Sequence, residues 1–186
     1  MGMIVLVAVL ACDYGKTEDG RHDGQTLGDR SIARLEKALD FAQAQALPVQ
    51  FVFSAGKLVE ADSRLCDLQM QYVEALGFKS LVPPRSMHIW GSNPELQFLA
   101  NTALNFPGAK VVIVSEDYHL WRLGKMAKSL GMKSAKVLGA SSLRSPPSFG
   151  NMVHEVLGVG ELYLPTGIVQ WLKQIRHRRL RGNLKS

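Results

Sequence analysis

The chain starts on an unbroken apolar run from Met3 to Ala11, rich in branched residues. A run with no polar face reads as a strand buried on both sides. A polar stretch from Asp13 to Gly28 follows, with Gly15, Gly20, Gly24 and Gly28, and reads as one long loop. Compact domains keep loops of that length for function or motion. Asp29 or Ser31 can cap the next element, in which Ile32, Leu35, Leu39 and Ala42 recur at helical spacing before Pro48. Val49 to Ser54 reads as the second strand and Gly56 as the turn after it. Residues 62–76 place Leu65, Leu68, Tyr72, Val73 and Leu76 near one helix face, closed by Gly77.

Pro83-Pro84 forbids helix, and Met87 to Trp90 reads as a short third strand. Asn93-Pro94 opens a helix, Lys110 to Ser115 is a strand, and a helix over about 118–130 stops at Gly131. Ala135 to Leu138 is the last strand, and helices over roughly 151–157 and 165–180 close the chain. Strand and helix thus alternate. This predicts an α/β fold, a Rossmann-like, doubly wound and mainly parallel sheet of about five strands with helices on both faces. Residues 1–160 form that domain in this reading, and residues 161–186 a C-terminal basic amphipathic helix and tail.

Composition narrows the classes. The chain has 186 residues, of which 46% are hydrophobic and 20% charged, enough for a full core. Its two cysteines, Cys12 and Cys66, make no disulfide framework and have no zinc spacing. The apolar run at the start is about half of what a bilayer span needs and lacks the pattern of a secretory signal, so a cytoplasmic protein is expected. The net charge of +6 sits at the end. Lys173, Arg176, Arg178, Arg179, Arg181 and Lys185 are unopposed by any acid there, while residues 1–172 balance to zero. The high pI therefore describes the tail and not the body.

Ligands of such sheets bind beyond the carboxyl ends of the strands, which directs attention to Cys12-Asp13, Ser54-Ala55-Gly56 and Ser115-Glu116-Asp117. The last leads into Tyr118-His119-Leu120-Trp121-Arg122, where His119 and Arg122 share one face of a first helical turn. Two readings stand side by side. One is an anion site at a helix N-terminus; the other is an acidic cap beside a half-buried histidine. Arg34 and Arg122 are suited to neutralising an anion. His119 is suited to acid–base work, and Asp13 to orienting it or holding a metal. Asp19, His22 and Asp23 are ligand-type side chains without ligand spacing, and no metal is expected. Cys12 reads as a small buried residue in preference to a nucleophile. No Gly-x-Ser-x-Gly elbow and no phosphate-binding Gly-x-x-x-x-Gly-Lys loop occurs.

The block Val112-Ile-Val-Ser115-x-x-Tyr118-His119-Leu120-x-Arg122 resembles the signature of the YdcF-like family, a domain of unknown function that includes SanA- and ElyC-type envelope proteins. Arg34 with Ala38 resembles its first-helix arginine and small residue, Ser54-Ala55-Gly56 its Ser-Gly-Gly strand end, and His154-Glu155-x-Leu157-Gly158 the start of its closing helix. The resemblance covers roughly residues 3–158, with degenerate motifs. The first turn, Ala11 to Gly15, keeps one glycine, and Ser92-Asn93-Pro94-Glu95 lacks the family's Thr and Asn. The resemblance implies a polar cleft for a phosphorylated or nucleoside-like ligand such as S-adenosylmethionine. It supplies no settled reaction; from the residues themselves, His119 and Asp13 are the candidates for chemistry, and Arg34, Ser54, Gly56, Ser115, Tyr118 and Arg122 those for ligand binding. It also implies cell-envelope metabolism. The competing reading is an inactive interaction module. Leu164, Ile168, Leu172 and Ile175 recur at helical spacing before the basic end, a pattern for an anionic membrane surface; nucleic acid is not expected, for want of a base-reading motif.

Overall fold

The computed structural model describes residues 3–10, 13–57, 61–87, 89 and 91–141. The domain boundary expected at 160, the helices over 151–157 and 165–180, the basic tail and Cys12 lie outside the described residues. Among the described residues five strands form one sheet: β1 (Val5–Val9), β4 (Val49–Val52), β5 (Lys79–Leu81), β6 (Lys110–Ser115) and β7 (Lys136–Gly139). Their order is β5-β4-β1-β6-β7, and every neighbouring pair is parallel. This is the doubly wound sheet expected from the alternation of strand and helix.

Parity along the strands explains the layers. Val5, Val7, Val9, Phe51, Phe53, Val112 and Val114 point to one face, covered by α1 (Asp29–Gln43) and α2 (Leu65–Glu74). Leu6, Ala8, Leu10, Val52, Val111 and Ile113 point to the other, covered by α3 (Ser92–Leu104) and α4 (Leu120–Ser129). Both faces need apolar side chains, so β1 and β6 show continuous runs and no alternation. The chain changes face between β5 and β6, which puts the topological switch point between β1 and β6. Each of the four described α-helices follows a strand, so each begins at the carboxyl edge and turns its positive pole toward it.

Two expectations are corrected. The stretch from Asp13 to Gly28 is no open loop but an antiparallel hairpin of β2 (Tyr14–Lys16) and β3 (His22–Leu27). Its turn runs through Gly20 at φ +81°, a conformation glycine adopts freely. Tyr14 anchors it: the ring is buried with Ala55, Ala61 and Leu65, and its hydroxyl donates to the Ser63 carbonyl at 2.7 Å. The hairpin is polar because most of it faces solvent, which removes the apolar alternation that would reveal a strand. The edge strand beyond β4 is Lys79–Leu81; of the stretch expected as a third strand, Met87 and Ile89 lie in no strand, and His88 and Trp90 lie outside the described residues. Phe78 packs under β5 against Phe51 while Lys79 stays exposed, so a three-residue edge leaves no periodic signature.

Candidate functional site

At the carboxyl edge, side chains reach the last carbonyls of β1. Gln69 of α2 donates to the Val9 carbonyl at 3.2 Å, and Arg34 of α1 donates through Nη1 to the Leu10 carbonyl. Arg34 is 2% exposed, and a guanidinium at that depth needs an anion. Glu116 provides it. Following β6 in extended conformation (φ −75°, ψ 152°), Glu116 keeps the parity of Val112 and Val114 and so faces α1. Its Oε1 lies 3.3 Å from Arg34 Nη2, and Arg30 binds both its carboxylate oxygens through Nε and Nη2. Burial pushes the Glu116 carboxyl up, but the Arg30 hydrogen bonds and the Arg34 charge outweigh it and hold the group below the usual carboxylate range.

The network continues outward. Arg30 Nη2 donates to the Tyr118 hydroxyl at 2.6 Å. Burial, then the hydrogen bond and charge of Glu116, push the Tyr118 phenol up. The Tyr118 ring lies 4.1 Å from the His119 ring, centroid to centroid. His119 Nδ1 in turn meets Arg122 Nη2 at 3.3 Å. A guanidinium only donates, so Nδ1 is the acceptor in this contact and Nε2 carries the proton. Arg34, Tyr118, His119 and Arg122, four of the residues marked in the sequence, thus belong to one chain of contacts through Arg30 and Glu116.

Glu95 enters from the opposite face, in the first turn of α3. It is 5% exposed, and its Oε2 has no hydrogen-bond partner. Burial pushes its carboxyl up to about 7, against the opposing pull of the Arg34 charge and the Gly91 N–H. Arg34 Nε and Gln69 Oε1 are likewise buried without a partner. Unmatched hydrogen-bonding groups of both kinds are therefore buried at this edge.

The remaining marked residues are placed as follows. Ser54 and Ser115, both buried, extend β4 and β6 on either side of β1 at the level of Leu10. Asp13 sits on the N-terminus of α1, where its carboxylate accepts from the Ser31 N–H at 2.9 Å and the Ser31 hydroxyl at 2.8 Å. That is the task of a capping acid supplied from outside the helix. Gly28 allows it: a Cβ there would lie 2.6 Å from Asp13 Oδ2. Gly56 serves packing, because its N–H donates to the Ile89 carbonyl at 2.6 Å and a Cβ would strike the same oxygen. Neither Glu116 nor Asp117 caps the helix after β6; Asp117 instead accepts from Ser141, over Gly139, whose missing side chain leaves it room.

Arg30, Gln69 and Glu95 were not marked in the sequence. Arg30 had a signal, since it stands four residues before Arg34 on one helix face, and two like charges so placed call for an anion between them. On the hairpin, Asp19 pairs with Arg21 at 3.0 Å and Asp23 accepts the Gln25 and Thr26 N–H groups at 3.0 Å, so these acids serve the turn. Among the described residues no three His, Cys, Asp or Glu side chains converge. Burial pushes the Cys66 thiol up to about 11, away from nucleophilic use. No described helix is long and apolar enough to cross a membrane. Compared with known proteins, the chain matches no family model, no curated protein and no solved structure.

Proposed function

We propose that the crevice over the carboxyl ends of β1 and β6 binds a small anionic ligand, phosphorylated or nucleoside-like, in a protein of the YdcF-like type. One observation carries this reading. Arg30 and Arg34 share the single carboxylate of Glu116 at the switch point, with Arg122 and His119 on the same chain of contacts. While Glu95 holds its proton, two cations on one anion leave a net positive centre beneath the N-termini of α1 and α4, which attracts negative charge. The Glu116 pair holds Arg30 and Tyr118 rigidly, and Arg122 with His119 forms the outer, half-buried part that a ligand reaches. A role in cell-envelope metabolism rests on the family resemblance.

The test is equilibrium binding of AMP to the full-length protein, with inorganic phosphate as competitor. Saturable binding, weakened at least tenfold by Arg122→Ala with an unchanged urea midpoint, supports the reading. Absence of AMP binding overturns it, as does an Arg122→Ala variant that loses stability and keeps affinity. A second reading is favoured by the charge distribution: the last fourteen residues hold the whole +6 and suit peripheral attachment of a cytoplasmic protein to an anionic membrane. Co-sedimentation with phosphatidylserine vesicles at low salt, lost at high salt, supports it; no sedimentation at low salt overturns it.

A further inference from the structure

At the amino-terminal edge of the sheet, the starts of β1, β6 and β7 and the last turn of α1 border a cavity of about 700 Å³. That volume lies in the range of small-molecule sites, about 300–1,000 Å³. The cavity is roughly a strand's length, about 17–20 Å, from the arginine crevice and shares no residue with it. Its apolar members are Met3, exposed, and Phe41, half-buried, over a floor of the buried Val5, Val111 and Val112. Lys110 and Lys136, both exposed, are its charged members, and no acid lines it among the described residues.

The register sets the spacing of the two lysines. Lys136 stands opposite Val112, so it lies on the strand next to Lys110 and two residues further along. Both share the parity of Val112 and Leu138, the face toward α1, and the Lys136 ammonium lies 5.8 Å from the Phe41 ring centroid. Strand geometry puts their Cα atoms about 8 Å apart, within reach of a single anionic group for two flexible stems. Neither lysine has an ion-pair partner among the described residues. The carbonyl pole of α1 ends at the same edge and cancels part of their field, which suits one negative charge better than two.

We propose that this cavity binds an amphipathic monoanion, an alkyl carboxylate whose chain lies against Met3 and Phe41 and whose head is held between Lys110 and Lys136. The site is independent of the arginine crevice and stands or falls separately.

Calorimetric titration of the full-length protein with sodium dodecanoate, below its micellar concentration, tests it. Expected is saturation at one per chain, and an affinity at least tenfold lower in the Lys110→Glu, Lys136→Glu double variant. Each methylene removed from the probe costs up to roughly fourfold. Dodecyltrimethylammonium, with the same chain and the opposite charge, is expected not to bind. Absence of saturable dodecanoate binding overturns the proposal, and so does equal binding of the cationic probe. Dodecanoate held by the basic tail would be indifferent to the double variant, and that result overturns it too. If the double reversal lowers the unfolding midpoint, the Lys110→Gln, Lys136→Gln variant replaces it, with the same outcomes.

Discussion

The two edges of the sheet solve opposite electrostatic problems. At the carboxyl edge, charges are buried and so must be paired: Arg34 and Glu116 have side chains 3% and 7% exposed and hold each other, with Arg30 and Tyr118 closing the set. At the amino edge, Lys110 and Lys136 are exposed above an apolar surface, and water solvates them. The same residue class is thus structural at one edge and available at the other. Burial makes the difference, because an unpaired charge costs several kcal/mol inside the protein and almost nothing at its surface.

The comparison breaks most severely at Glu116. Glu116→Ala leaves two guanidinium groups without their carboxylate, and urea unfolding should show a loss of about 3–5 kcal/mol. A loss under about 1 kcal/mol would mean that water reaches Arg34 and that the edge is not a buried ionic centre.

Glu95 sharpens the same edge through pH. Its folded value of about 7 lies above the 4.5 of an ordinary glutamate, so the folded state holds the proton more tightly than the unfolded chain. Its contribution is complete below about 4.5, declines as pH rises through 4.5 to 7, and is flat above. The decline is on the order of 3 kcal/mol. Glu116, held below its ordinary value, works the other way: its contribution is present above the usual carboxylate range and is lost on acidification. Urea unfolding between pH 5 and pH 7.5 should therefore fall with pH in the wild type and be nearly level in Glu95→Gln. Parallel profiles in the two proteins would remove Glu95 as the cause.

A smaller effect is expected where Asp13 caps α1. Asp13→Ala should cost about 1 kcal/mol, the usual worth of an N-terminal cap. Gly28→Ala should match it, since the new methyl group would push the same carboxylate off Ser31. Additive losses in the double variant would show that the two act separately. Smallest of all, Lys110→Gln at the opposite edge should move the unfolding free energy by no more than about 0.5 kcal/mol. A larger shift would place that lysine among the structural charges and erase the contrast.

The fold was legible because its physics is local. β1 and β6 are apolar on both faces, and the helices between strands repeat at 3.6 residues, so the sequence by itself determined the α/β class and the parallel sheet. The hairpin of β2 and β3 escaped because its strands are wet, and β5 because three residues at an edge carry no period. The site was half legible. Tyr118, His119 and Arg122 stand within one turn of each other, so spacing alone joins them. Arg30 and Glu116 are 86 positions apart, and nothing local relates them. Only the pairing of β6 beside β1, under α1, brings that carboxylate to those arginines. Glu95 arrives from the other face, where depth of burial and not residue type sets its protonation. Sequence determines what each segment must bury; tertiary structure decides which distant charges must then answer one another, because desolvation is a property of position in space.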